Sequence, residues 1–461
     1  MTVAVVVKKV KKPEMDNIRS KVMLTDETIQ ERLNKVLERM KDSGLSSLAI
    51  YADKEHGSSF EYLVGFIPRF EEALLVLNQD GSATLILGNE NISKAPHARI
   101  KAFGRKCALF SLPNQPMGEL DDLKAVLQET DIDTSSQVGL VGWKLIPGMA
   151  RQFDIPQFIV SALETVAGKD KLVNATALLV GPENGARVTI NANEAAHYEY
   201  GAALASDAVL DAMNGLTVGV SELEMGNRLN RDGQYNNVVT IGAFGDRFIK
   251  GNLYPTDNRL DKGDKVALTV SYKGGLSSRS GYAVTNEEEL DGVDAGYLEE
   301  VVMPYFEAYH YWLTNLKIGV RGGDFYDAFN TFYPQDIYGW HLCPGHLTAD
   351  EEWLSSPFYK GSETVVQSGM LFQVDFIPSQ TGHNGVSAES TVLLADDELK
   401  QAIRADYPDM WKRIESRRAY LRDELGIQLP EDVLPMAGTL AYYRPYMLND
   451  EYALTIEKLS Y

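Results

Sequence analysis

Near residue 180 the periodicity of the chain changes, and that change limits the folds open to it. Before it, helices and strands alternate. "TDETIQERLNKVLERMKDSGL" places Ile29, Leu33, Val36 and Met40 on one helical stripe, with Thr25 or Asp26 to cap it and Gly44 to end it. "SSLAIYA" follows as a strand, and "ALLVLNQDGSATLILG" reads as a hairpin turned at Asp80-Gly81. A helix at about 117–129 and the strand "QVGLVGW" complete an α/β pattern. Beyond the change, a long helix, "EAAHYEYGAALASDAVLDAM", has Asn193 as its expected cap, and Ser221 with Glu224 offers a capping box for the next. Long β stretches then dominate: "NVVTIGAF", "KVALTVSYKG", "MLFQVDFIP" and "VSAESTVLL", divided by a helix around 296–316. These predict an α+β domain over 181–461, with helices on one face of a curved antiparallel sheet, after a smaller α/β domain over 1–180. A helical extension starts near residue 396.

The 461 residues exceed what one ordinary core needs, in keeping with two domains. A formal net charge of -21 repels phosphate backbones and anionic membranes, which argues against nucleic-acid and membrane partners. The basic cluster Lys8, Lys9, Lys11 and Lys12 reads as a solvated tail. The apolar run of "MTVAVVVKKVKK" precedes its basic residues, the reverse of a secretory signal. Cys107 and Cys343, the two cysteines, supply no disulfide framework. A cytoplasmic protein is the expectation. There is no phosphate-cradling GxxxxGK[ST], no GxGxxG after a strand, no HExxH, no CxxC pair and no GxSxG elbow.

Two acids stand on the last β stretches, Asp375 and Glu389. Alternation puts Asp375 on a face with Leu371 and Gln373, and Glu389 on a face with Ser387 and Thr391, so the two meet if those faces line one cleft. The segments "ERLNKVLERMKDSGLSSLAIYA", "YLVGF", "GVSELEM", "YPTDNRLDKGDKVAL", "PGHLTADEEWLSSP", "VVQSGMLFQVDFIP" and "GVSAESTVLL" resemble, in order and character, the creatinase, aminopeptidase P, prolidase and methionine aminopeptidase family. The resemblance spans nearly the whole chain and implies the pita-bread fold.

The same resemblance implies a site of two aspartates, one histidine and two glutamates holding a pair of divalent ions. Here the first aspartate position, after "GDKVAL", is Thr269, and the second falls on Arg279 or Ser280 in "GGLSSRSG". The histidine maps to His346, the first glutamate to the shorter Asp375, and the second to Glu389. Both aspartates are lost, so no metal pair is expected, although His346, Asp375 and Glu389 are enough to hold a single ion. The family's substrate-contacting histidine before a proline is Asn252, ahead of Pro255. A later family histidine is Trp353, while His341 and Tyr282 flank the site segments as substrate contacts. Arg279 is expected to pair with Asp375 or Glu389, a guanidinium replacing a metal charge.

The reading is a metal-independent hydrolase of a C–N bond in a small molecule or short peptide, with His346, Asp375, Glu389 and Arg279 as its catalytic set and no cofactor. The alternatives are a non-catalytic binding or scaffold member of the fold, and an Xaa-Pro peptidase with a degenerate metal site. The resemblance also implies a homodimer.

Overall fold

The computed structural model describes residues 3–246 and 254–459. The chain forms two compact units: Leu24–Val188, and Thr189–Tyr461 together with the residues up to Met23.

In the first unit a six-stranded sheet runs in the order Phe103–Lys106, Ala83–Leu87, Ala73–Asn78, Leu45–Ala52, Gln137–Val141, Leu172–Asn174. The Leu45–Ala52 strand is antiparallel to Ala73–Asn78 and parallel to Gln137–Val141. All eight of its residues are buried, which requires cover on both sheet faces. One cover is the Asp26–Asp42 helix, whose Ile29, Val36 and Met40 are buried. Thr25 caps it: the side chain accepts from the Thr28 amide at 3.2 Å. Gly44, at φ 68, sits just past its end, in the left-handed backbone that glycine adopts without strain.

In the second unit the Ala192–Asn214 helix is capped by Asn191 and not by Asn193. Asn191 and Glu194 exchange side-chain-to-amide bonds, both at 2.9 Å, as a capping box. Asn193 instead donates to Met23 O and Tyr407 Oη. The helix lies against the Lys265–Tyr272 and Gly275–Tyr282 hairpin so closely that a Cβ on Gly201 would stand 1.8 Å from Lys273 O. The hairpin carries Ile241–Phe244 on its outer edge. A second antiparallel sheet runs His346–Leu347, Leu371–Gln373, Thr391–Leu394, Val433–Pro435. The sheets meet where Ser280 bridges Ser387. Helices Met303–Asn315, Gly322–Phe332, Asp397–Asp406 and Pro408–Asp423 accompany them, an α+β arrangement.

Two further expectations change here. The regular strands end before Asp375 and begin after Glu389, in part because the Ala388 amide donates to Tyr305 Oη at 2.9 Å and not to a ladder carbonyl. The basic N-terminal segment is no solvated tail. Val3–Lys9 is a strand antiparallel to Tyr452–Lys458, and its lysines meet acids there: Lys9 reaches Glu451 at 2.9 Å and Lys12 reaches Asp450 at 2.6 Å. The apolar run seeks a sheet partner, and the lysines supply the charge that blunts an exposed ribbon.

Candidate functional site

His346 opens the first strand of the second sheet, and its side chain is fully buried. Gly345, at φ 102, leads into it, and a Cβ there would strike Gln373 O at 2.8 Å. The ring is stacked on Trp353, with centroids 4.1 Å apart and planes at 22°. Nδ1 lies 3.2 Å from Leu347 O. Nε2 stands 2.9 Å from Glu352 Oε1 and 3.6 Å from Asp375 Oδ2, close enough for ion pairing but off the axis of a hydrogen bond to either. Burial pulls the imidazole pKa down, but the charges of Glu352 and Asp375 outweigh it and hold the pKa well above its ordinary 6.5. The ring is a buried cation between two carboxylates.

Glu389 faces Asp375 across the hairpin. Gln373 pairs with Thr391, and the next amide, Val374 N, donates to Ser390 O at 2.9 Å, so the register carries Asp375 opposite Glu389. The two acids therefore meet, as alternation predicts. Glu389 is 7% exposed. Burial, then the negative charges of Asp375 and Glu352, push its pKa well above 4.5 and favour the neutral acid. Ser387 Oγ lies 3.2 Å from Glu389 Oε1 and 2.9 Å from Ser278 Oγ, and Ser278 Oγ lies 2.9 Å from Thr269 Oγ1. A chain of hydroxyls thus runs from the acid into the first sheet.

The register of the Lys265–Tyr272 and Gly275–Tyr282 hairpin separates the two candidates for the second aspartate position. Thr269 pairs with Ser278 across the hairpin, so Ser278 and Ser280 share its face and Arg279 turns to the other. Arg279 does not pair with the carboxylates of Asp375 or Glu389. It is fully buried and donates to main-chain oxygens: Nε to Tyr442 at 2.8 Å, Nη1 to Ser278 at 2.6 Å and Glu389 at 3.1 Å, and Nη2 to Thr439. The first aspartate position therefore holds a hydroxyl bonded to Ser278, and Ser280, on the same face, holds one that donates to Gly385 O at 3.4 Å. Among the described residues no group of three or more His, Cys, Asp and Glu is placed to hold an ion. These donors do not fit a dinuclear centre.

The remaining sequence-derived candidates separate. Trp353 joins the site as the stacking partner of His346. His341 is exposed. Asn252 lies outside the described residues. Tyr282 belongs to another cluster: its hydroxyl donates to Asp294 Oδ2 at 2.7 Å, His383 Nδ1 stands 2.6 Å from Asp294 Oδ1, and the Asn384 amide donates to Asp294 Oδ2 at 3.1 Å. Asp294 thereby fastens the tip of the acid-bearing hairpin. In His383→Ala, amide exchange at 380–385 is expected to rise by about tenfold, read by hydrogen–deuterium exchange, as one charge-assisted bond is lost. Unchanged protection would remove the fastening role.

Nothing in the sequence singles out Glu352. It lies in "TADEEWLSSP", where no periodicity marks one acid over its neighbour, and only the loop's return past His346 selects it.

The fold is similar to that of solved prolidases and X-Pro aminopeptidases. Solved structures with this fold include an Xaa-Pro dipeptidase from Bacillus anthracis, at 17% identity and TM-score 0.60, covering 80% of this chain and 96% of that one. A prolidase from Pyrococcus horikoshii aligns at 17% identity and TM-score 0.61, covering 79% and 95%. An X-Pro aminopeptidase from Thermotoga maritima aligns at 16% identity and TM-score 0.60, covering 79% and 95%. At such identities the likeness is one of fold. No protein-family model matches the chain, and no curated protein sequence does.

Proposed function

We propose that the chain is a hydrolase of a C–N bond in a small molecule or short peptide, working without a metal pair. The observation that carries this reading is the convergence of His346, Glu352, Asp375 and Glu389: His346 Nε2 stands 2.9 Å from Glu352 and 3.6 Å from Asp375, Glu389 lies opposite Asp375, and the pKa values of His346 and Glu389 are both pushed well up by these surroundings. Asp375, partly exposed, takes a proton from the attacking water as the water oxygen bonds to the substrate carbon. His346, whose ring nitrogens face Glu352 and Leu347 O, stabilises the developing oxyanion through its charge alone. Glu389 gives its proton to the leaving nitrogen as the C–N bond breaks, and the proton on Asp375 returns to Glu389 across the hairpin.

The test is turnover of a dipeptide and guanidino-compound panel by chelator-treated protein, with metal content measured in parallel. Turnover that survives chelation and falls at least about 100-fold in Glu389→Gln is expected, in line with loss of a general acid. Two tightly held metal equivalents on which turnover depends would defeat the reading. One observation favours a second reading, a binding protein without catalysis: the Nε2 atom of His346 is fully enclosed and already faces Glu352. A ligand recovered unchanged, with no product in any panel member, would select that reading. The resemblance also supports a homodimer, which sedimentation would register as twice the 51.1 kDa chain mass.

A further inference from the structure

An open cleft of about 720 Å³ lies within the N-terminal unit, at one end of its sheet. It forms where the Leu45–Ala52 strand ends and Ala73–Asn78 begins, since Ala52 pairs with Ala73. Four acids line it, Asp53, Glu55, Glu71 and Glu72, against two cations, Lys54 and Arg69. Lys54 stands 3.8 Å from Glu55, and Arg69 is itself engaged. The acids outnumber the cations by two.

Glu71 is the informative residue. It is 4% exposed, and its Oε2 accepts from Glu90 N and Asn91 Nδ2, both at 3.0 Å. Its Oε1 has no hydrogen-bond partner among the described residues. A buried carboxylate oxygen without a donor costs free energy unless something supplies one. Beside it, burial and the charges of Asp53 and Glu71 raise the Glu72 pKa. The cleft also has aromatic surface. Phe70 is 79% exposed, and its left-handed backbone, φ 71, is one a bulky residue seldom adopts. His56 stands 3.2 Å from Asp53 and packs on Trp143, with ring centroids 4.6 Å apart.

We propose that this cleft binds an organic cation, an ammonium or guanidinium head on an apolar stem. Glu71 and Glu72 take the N–H donors, and Phe70 covers the stem or the cation's face. An inorganic ion is disfavoured, because no three acidic or histidine groups among the described residues converge on one point. A head with several divergent N–H donors satisfies carboxylates that stand apart.

The experiment is calorimetric titration of the full chain with agmatine, butylamine and butylguanidine, with magnesium chloride and butyramide as controls. Saturable binding of at least one cation is expected, with butyramide silent. Glu72→Gln and Phe70→Ala, which alter a half-buried and an exposed side chain without threatening the core, should each weaken it by at least about tenfold. Glu71→Gln, nearly isosteric against Gly88, should do the same with an unchanged melting temperature. No saturable cation binding, equal binding of magnesium, or binding that persists in these variants and is lost in Glu389→Gln would each overturn the proposal.

Discussion

Arg279→Met is expected to destabilise the C-terminal unit by at least about 3 kcal/mol, seen as a lower urea midpoint and melting temperature. An arginine with no exposed surface is usually read as one half of an ion pair or as a substrate ligand. Here its partners are four main-chain carbonyls, of Ser278, Glu389, Thr439 and Tyr442. Methionine fills much of the volume but leaves those oxygens buried without donors, each worth about 1–3 kcal/mol. Arg279→Lys should recover little of the loss, because one ammonium cannot address carbonyls on several segments as the planar guanidinium does. The result bears on function as well. A variant within about 1 kcal/mol of the parent would return Arg279 to the list of catalytic candidates.

Stability is expected to fall as the pH rises from about 5 to 9, and the site accounts for much of the slope. The sign follows from both buried groups. The folded pKa of His346 is raised, so its contribution is complete below about 6.5 and is lost as pH climbs through the folded value. Glu389 is raised too: above its ordinary 4.5 the unfolded chain releases a proton that the folded state keeps, so folding weakens until the folded carboxyl also ionises. Each pH unit over which the states differ by one proton is worth about 1.4 kcal/mol. Asp207, pushed up to about 6 by burial and the charge of Asp16, adds the same sign at lower pH, so the informative quantity is a difference between proteins. Glu389→Gln should flatten the curve and be more stable than the parent at pH 8, and His346→Gln should lose stability most below pH 7. A difference between parent and Glu389→Gln that stays flat from pH 5 to 9 would show that Glu389 ionises normally.

Local signals in the sequence translated directly into structure. Thr25 caps its helix, Ser221 and Glu224 form their box, and the Asp80-Gly81 hairpin joins the strands expected. Each rests on groups a few residues apart, so one segment contains the whole interaction. The meeting of Asp375 and Glu389 was legible for the same reason, since strand alternation and one turn determine it. Relations between segments are what the sequence leaves open. Counting residues along the chain left the second aspartate position between Arg279 and Ser280, whereas cross-strand register sends Arg279 to the opposite face. Asn191 and Asn193 both suit a helix start, and the choice between them followed from Glu194, three residues after Asn191. Glu352 reaches His346 only because a loop folds back, and the lysine-bearing strand found its partner some 450 residues away.

That last pairing has a consequence for synthesis. Because Val3–Lys9 closes on Tyr452–Lys458, the unit that carries His346 and Glu389 encloses the Leu24–Val188 unit as an insertion in its own sequence. The inserted unit is contiguous and can collapse on the ribosome as soon as it emerges. The enclosing unit must hold its first strand unpaired until the far end of the chain is made. During that interval an apolar, β-branched ribbon is free to find a wrong edge. The lysines that follow it then act as more than surface decoration, since like charges on two nascent chains keep those ribbons apart until Glu451, Asp450 and Glu457 arrive to neutralise them.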